Sequence, residues 1–389
     1  MTVHNGTQRR MRVVVCGTKF GQVYLQAFRL PGLPFELAGV LARGSERSRA
    51  CAQHYGVPLW TSPEELPADV DIACVVIRGG LLGGPGADLA KRLMARGISV
   101  IQEHPLHHDE LAECLRCARR HHVVYQLNSF YPNVAPVRNF ISAAHELFRR
   151  QRPLYVDASC GFQLAFALLD ILGQTLGGVR PWAFASAPDL DRSLRQLTDL
   201  DFPFRSLDGV IAGVPVTLRI QNQMDPGDPD NYAHLMHRIT VGTEGGNLTL
   251  ASTHGPILWC SRPDFPREAQ QPEARPHFAQ NATDGHAAGQ PGNVPSSAVV
   301  LGQSSAPGYR QIFETFWPAA VATALLNLRA AMAAGDSGLP RGQYYLTICQ
   351  LWQDITALLG PPELLRAPPP AMLSGAELAA VAAAAEVAT

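Results

Sequence analysis

The run Val13-Val14-Val15-Cys16 leads into Gly17-Thr18-Lys19-Phe20-Gly21 and then into an amphipathic stretch. Strand, tight glycine turn and helix start, in that order, present bare backbone amides to a phosphate group. Gly17 and Gly21 meet part of the G-x-G-x-x-G pattern of dinucleotide sites, and Thr18 or Lys19 stands where the central glycine belongs. The next apolar run ends in Leu41-Ala42-Arg43-Gly44-Ser45-Glu46-Arg47-Ser48. An acid at the end of that strand would bond the ribose hydroxyls of NAD. Arg43 can instead form paired, charge-assisted bonds to a 2′-phosphate, with charge added by Arg47 and donors from Ser45 and Ser48. The pattern points to NADPH; the bland alternative is a set of solvated loop charges ahead of a helix. A third segment, from Arg78-Gly79-Gly80 to Gly86, lets backbone approach a nucleotide or merely connects a strand to a helix. His104 ends a fourth apolar run, where ligands bind in open α/β sheets. Tyr131, just before Pro132, reads equally as a packed hinge or as a proton donor.

These residues need a scaffold that brings strand ends together. From Met11 to about Tyr131, apolar runs (12–16, 35–41, 72–77, 99–102 and 123–126) alternate with helical patterns (20–30, 46–55, 87–96 and 109–120). That alternation predicts a parallel sheet covered on both faces, a Rossmann dinucleotide-binding domain at residues 11–131. In the last of the helices, Asp109 is placed to cap the first turn and Arg119 and Arg120 suit the C-terminal end. A helix is expected at 134–149, then strands at 154–159, 209–221, 237–241 and 247–252. This part reads as an α+β domain, residues 132–365, with a large, mostly antiparallel sheet. Residues 262–308, rich in Pro, Gly, Gln and Ser, read as a long irregular insert with one strand at 298–301. Helical spacing resumes at 310–359, and residues 1–10 and 366–389 read as tails.

The 389 residues suffice for two domains, each with a core. A formal net charge of -1 and a charged fraction of 17% give no reason to bind nucleic acid or an anionic membrane. No apolar run is expected to cross a membrane, and residues 1–10 have no signal-peptide character. The 8 cysteines are scattered among strand and helix runs, which reads as reduced thiols in a cytoplasmic protein. Cys114, Cys117 and His121 share a helical face, but three groups on one helix do not make a four-ligand zinc site, so no metal is expected. His234 and His237, in or beside a second-domain strand, read as surface or packed histidines, with a place near the substrate face as the alternative, and Trp317 and Trp352 read as core or subunit interface.

The segment from Ala95 to Pro105, through Gln102-Glu103-His104-Pro105, resembles the Glu-Lys-Pro signature of the glucose-fructose oxidoreductase and inositol dehydrogenase family, with His104 in place of the lysine. Glu103-His104-Pro105-Leu106-His107, Asn128-Ser129-Phe130-Tyr131-Pro132 and Lys19-Phe20-Gly21 are similar to segments of the thiazolinyl imine reductases of the pyochelin and yersiniabactin pathways. The resemblance covers the first domain; beyond about Arg150 only the layout is similar. It implies hydride transfer from NADPH to the C=N carbon of a thiazoline, held as a thioester on a carrier protein of a nonribosomal peptide synthetase. It also implies a homodimer through the open sheet of the second domain.

Adding hydride to a C=N carbon leaves negative charge on nitrogen unless a proton arrives with it, so such a site needs an acid. The resemblance places Tyr131 and His104 beside the nicotinamide, with Glu103 among the cofactor contacts and Asn128 able to orient substrate or carboxamide. Tyr131 is the favoured donor, with His104 as partner or alternative. Two other readings stand beside this one. A sugar or polyol dehydrogenase of the wider family is disfavoured by His104 for lysine and Arg43 for an acid. A noncatalytic NADP-sensing regulator would bind NADPH without oxidising it.

Overall fold

The computed structural model describes residues 9–77, 84–185, 192–228, 233–262, 297–336, 338–366 and 373–387. The expected nucleotide contacts Arg78 and Gly79, and most of the 262–308 insert, lie outside these residues.

Six parallel strands form the first sheet in the order β3-β2-β1-β4-β5-β6. They are β1 (Met11–Cys16), β2 (Phe35–Leu41), β3 (Leu59–Trp60), β4 (Ile72–Val75), β5 (Ser99–Glu103) and β6 (Tyr125–Asn128). Val13, Val14 and Val15 are all fully buried, because helices cover both faces and neither parity of the strand meets water. The strand order turns back between β1 and β4, so a crevice opens at their carboxyl ends. The covering helices are α1 (Gly21–Ala27), α2 (Glu46–Tyr55), α3 (Pro85–Met94) and α4 (His108–Arg120). Local chemistry sets the limits of α2: the Ser45 hydroxyl accepts from Ser48 N–H at 3.3 Å, and Gly56 closes the helix at φ 65°. In α4 the cap falls on His107 rather than Asp109. The Glu110 carboxylate reaches back to accept the His107 N–H at 3.1 Å, which fixes the helix start one residue early.

Helix α5 (Ala135–Phe148) leads to an eight-stranded sheet, β15-β14-β13-β12-β7-β10-β9-β8. Its strands are β7 (Tyr155–Gly161), β8 (Trp182–Phe184), β9 (Phe204–Ile211), β10 (Val214–Gln221), β12 (His237–Thr243), β13 (Gly246–Leu250), β14 (Ile257–Ser261) and β15 (Ala298–Leu301). A small separate pair joins β11 (Gln223–Met224) to β16 (Glu363–Leu364). All neighbours in the large sheet are antiparallel except β7 and β10, so it is mixed and mostly antiparallel, as the alternation implied. The register sets Val156, Ala158, Val216, Leu218, His237 and Ile239 on one face, which α5 and α6 (Ala165–Leu176) cover. Tyr155, Asp157, Thr217 and Arg219 lie on the other.

The expected single strand 209–221 is a hairpin. Ala212 and Gly213 turn at φ 53° and 78°, and the apolar residues flanking them masked the turn. Helical spacing over 310–359 resolves into two helices, Trp317–Ala334 and Leu339–Leu359, parted after Gly335 in the left-handed region. The stretch Tyr309–Ala334 is long and apolar enough to cross a membrane by length and composition, contrary to the expectation that no apolar run would be. Within that stretch Pro318 follows a π-helical segment, Ile312–Phe316, and the helix continues through the proline. This helix packs on α1, with Val321, Ala324, Leu325 and Leu328 fully buried, and so serves as a core helix of the protein. The Ala-rich end forms a helix, Gly375–Val387, exposed over residues 375–384.

Candidate active site

At the carboxyl edge of the parallel sheet, Gly17 follows β1 at φ 100°, and its N–H bonds Leu41 O at 3.0 Å. A Cβ on Gly17 would stand 2.4 Å from the Val76 carbonyl oxygen, so only glycine fits this turn. Thr18 is buried beside it, its carbonyl accepting from Gln22 Nε2 at 3.1 Å, and Lys19 is exposed. Phe20 turns its ring inward, 5.2 Å from Phe130 and 5.9 Å from Trp317, leaving its backbone at the start of α1. No side chain caps α1. Close backbone and a glycine that tolerates nothing larger fit a pyrophosphate seated against residues 17–21.

Arg43, Ser45 and Arg47 are exposed together beyond β2. Ser48 is buried, and its hydroxyl donates to Ser45 O at 2.7 Å within the first turn of α2.

Behind the crevice, Glu103, the last residue of β5, is buried. The Tyr24 hydroxyl donates to its Oε2, and Asn128 Nδ2 lies 2.7 Å from the same Tyr24 oxygen. Burial first, and the Glu103 charge second, raise the Tyr24 phenol well above its ordinary range, so it stays protonated. His104 Nδ1 sits 3.0 Å from Glu103 Oε1 and 3.2 Å from Asn128 O. Both are acceptors, so Nδ1 carries a proton and Nε2 is the ring nitrogen left for chemistry.

Across the crevice the second domain supplies walls. The His104 ring stacks on Phe166 of α6 at 5.4 Å and meets Tyr131 at 6.3 Å, near-perpendicular at 74°. Tyr131, buried, lies edge-on to His237 of β12 at 4.9 Å. Thr253 Oγ1 is 2.9 Å from His237 Nδ1 and Leu164 O is 3.4 Å from its Nε2, so Nε2–H donates to the carbonyl and Nδ1 accepts the threonine proton. Burial lowers the His237 pKa to about 3, which keeps the ring neutral.

The fold thus brings together His104, Tyr131, Glu103 and Asn128 with the 17–21 turn, and holds Arg43, Ser45 and Arg47 at a separate exposed edge. Phe166 is not singled out by the sequence, and His237 is read there chiefly as a surface or packed histidine. Neither has a local signature, since each reaches Tyr131 or His104 only through packing of the two domains. Among the described residues no group of three or more His, Cys, Asp or Glu side chains could hold a metal ion. Cys114 and Cys117 instead face carbonyls of α3, Ala87 O and Lys91 O.

Residues 11–129 match the family model of the oxidoreductase family with an NAD-binding Rossmann fold. Residues 151–260 match the model of the thiazolinyl imine reductase Irp3-like C-terminal domain. No curated protein matches the sequence. Among solved structures, a levoglucosan dehydrogenase in complex with NADH and levoglucosan superposes with a TM-score of 0.60 at 12% identity, over 90% of this chain and 97% of its own. A 3-ketoreductase from Actinomadura kijaniata in complex with TDP-benzene and NADP gives 0.58 at 15% identity, over 92% and 99%. The UDP-N-acetylglucosamine 3-dehydrogenase GnnA of Acidithiobacillus ferrooxidans gives 0.56 at 15% identity, over 90% and 99%. At such identities these structures establish a shared fold. With one family model on each side of the crevice, the chain joins an NAD-binding Rossmann domain of the oxidoreductase family to a thiazolinyl imine reductase Irp3-like C-terminal domain.

Proposed function

We propose that this protein is an NADPH-dependent thiazolinyl imine reductase, which converts the C=N of a thiazoline into a thiazolidine on a carrier-protein-tethered intermediate of a nonribosomal peptide synthetase during siderophore assembly. The observation that carries the reading is the pairing of His104 and Tyr131 at the sheet's carboxyl edge, faced by a domain of the imine reductase type.

The dinucleotide would lie against Gly17, Thr18, Lys19, Phe20 and Gly21, with Arg43, Ser45 and Arg47 at its 2′-phosphate; bound there, it supplies hydride to the imine carbon. Tyr131 donates a proton to the imine nitrogen as negative charge develops. Glu103 and the Asn128 carbonyl hold the His104 Nδ1–H and fix the ring beside Tyr131; carrying a second proton on Nε2, His104 would donate to the tyrosine oxygen as its proton leaves. Asn128 is anchored to Tyr24 and orients the edge against which substrate rests. Phe166, Phe130 and His237 exclude water, which strengthens each charge-dependent contact. We place the protein in the cytoplasm, where NADPH is abundant. The exposed face of the large sheet, with Tyr155, Asp157, Thr217 and Arg219, is the surface we assign to pairing with a second copy.

The test is NADPH oxidation by the purified protein with a synthetic hydroxyphenyl-thiazoline thioester, followed at 340 nm with mass detection of the thiazolidine. Turnover with NADPH in preference to NADH supports the reading. Turnover of sugars or polyols alone would make it a dehydrogenase, and tight NADPH binding without oxidation of any of these would make it a sensor.

A further inference from the structure

Asp170, in the middle of α6, is fully buried. The side chains that bond its carboxylate are all neutral: Gln174 Nε2 at 3.0 Å and the Tyr344 hydroxyl at 2.7 Å on Oδ1, the Tyr345 hydroxyl at 3.2 Å and the Ser129 hydroxyl on Oδ2. Among the described residues no salt bridge reaches it. A buried carboxylate must be surrounded by donors to remain in place. Gln174 stands one turn on in α6 itself, and Tyr344 and Tyr345 come from the helix Leu339–Leu359 packed against it. The fourth, Ser129, belongs to the segment between β6 and Tyr131.

That segment has an unusual backbone. Phe130 has φ 65° and ψ -63°, a conformation that side-chain-bearing residues rarely adopt, and Tyr131 N–H bonds Ser129 O across it at 2.7 Å. This is a γ-turn of positive φ, an intrinsically strained device that persists only where its surroundings hold it. Two contacts grip its flanks. Asn128 Oδ1 accepts the Phe130 N–H at 3.2 Å on one side, and Asp170 takes the Ser129 hydroxyl on the other. Phe130 itself is fully buried between Phe20 and Trp317. The turn swings the chain out of the line of β6, so that Tyr131 stands between His104 and His237.

We propose that Asp170 is a positioning residue for the reaction: acting through Ser129, it holds the strained γ-turn at Phe130 and thereby aims the Tyr131 hydroxyl. The inference rests on the reading of Tyr131 as proton donor. An Asp170 that only stitched α6 to the helix Leu339–Leu359 would leave Tyr131 unmoved when Ser129 loses its hydroxyl.

The experiment uses the full-length protein with Ser129→Ala, Asp170→Asn, Tyr131→Phe and the double variant Ser129→Ala/Tyr131→Phe. The protein is labelled with 3-fluorotyrosine, and the Tyr131 ¹⁹F resonance is identified by its loss in Tyr131→Phe. Ser129→Ala and Asp170→Asn are expected to shift and broaden that resonance while NADPH affinity, measured by fluorescence titration, changes less than about twofold. In single-turnover imine reduction, Ser129→Ala should slow the chemical step by about 10- to 100-fold, the cost of a small misplacement of a reacting group. In the Tyr131→Phe background the same change should slow it no further, because the group it aims is gone. An unmoved Tyr131 resonance in Ser129→Ala, or losses that multiply in the double variant, overturns the proposal. Should Asp170→Asn not fold, Ser129→Ala decides. Absence of turnover by the wild type with any thiazoline counts against the proposed function, and the ¹⁹F readout then decides the positioning role by itself.

Discussion

The imidazole of His104 lies stacked on the phenyl ring of Phe166, centroids 5.4 Å apart and planes 24° apart. A residue at the end of a first-domain strand is thus oriented by a helix of the second domain. With Nδ1 fixed by Glu103 and Asn128 and one ring face covered, the direction of Nε2 is determined from two sides. Phe166→Leu keeps most of the buried volume and removes the stack, an interaction of about 1 kcal/mol. We expect kcat to fall about threefold to tenfold with KM for NADPH unchanged, measured by steady-state kinetics.

Tyr131→Phe removes the proposed donor without disturbing the ring packing on His104 and His237. The expected loss in kcat is about 10²- to 10⁴-fold, the usual span for a general acid. Binding of NADPH, followed by nicotinamide fluorescence, should be unaffected. A variant retaining more than half of wild-type kcat would assign the donor to His104 or water.

Arg43→Ala tests the cofactor preference. Loss of charge-assisted bonds to the 2′-phosphate should raise KM for NADPH about 10- to 100-fold and leave that for NADH nearly constant. Equal losses with both dinucleotides would remove Arg43 from the phosphate site.

Gly17→Ala forces a Cβ to within 2.4 Å of the Val76 carbonyl at a φ of 100°. The turn must open, and isothermal titration should show NADPH binding weakened at least tenfold even where thermal unfolding shows a folded protein. Unchanged binding would place the pyrophosphate elsewhere.

Burial lowers the pKa of His237 to about 3 and that of His254, which accepts from the Trp317 indole at 3.0 Å, to about 4. In the unfolded chain both protonate near pH 6.5. Between about pH 6.5 and 4 the unfolded state therefore binds more protons than the native state, so stability falls as the pH is lowered through that window. Two such groups give a slope approaching about 2.7 kcal/mol per pH unit. Urea denaturation from pH 7.5 to 4.5 should show the decline, and His254→Gln should remove about half of the slope.

The parts of the fold written in short-range chemistry were legible in the sequence. Ser45 and Gly56 bracket α2, and the all-apolar Val13-Val14-Val15 announces a strand buried on both faces. Helix α6 was not legible, because ten of its twelve residues are buried and no polar stripe remains to mark a period. The hairpin turn at Ala212-Gly213 was hidden by apolar residues that continue the pattern across it. At the candidate site, strand ends pointed to His104, and a resemblance pointed to Tyr131. Asp170 and His237 follow Tyr131 in the chain by 39 and 106 positions. No local rule connects residues so far apart; only the packed structure does.

The chain crosses from one domain to the other directly through Asn128, Ser129, Phe130 and Tyr131, so under the proposed function the crossover itself is catalytic equipment rather than a neutral tether. Cutting there would leave Tyr24, Glu103 and Asn128 with the first half and take Phe166, Asp170 and His237 away with the second. Exchange of whole domains between relatives would then transmit nucleotide binding readily, while the placement of the acid would have to be rebuilt at each new junction.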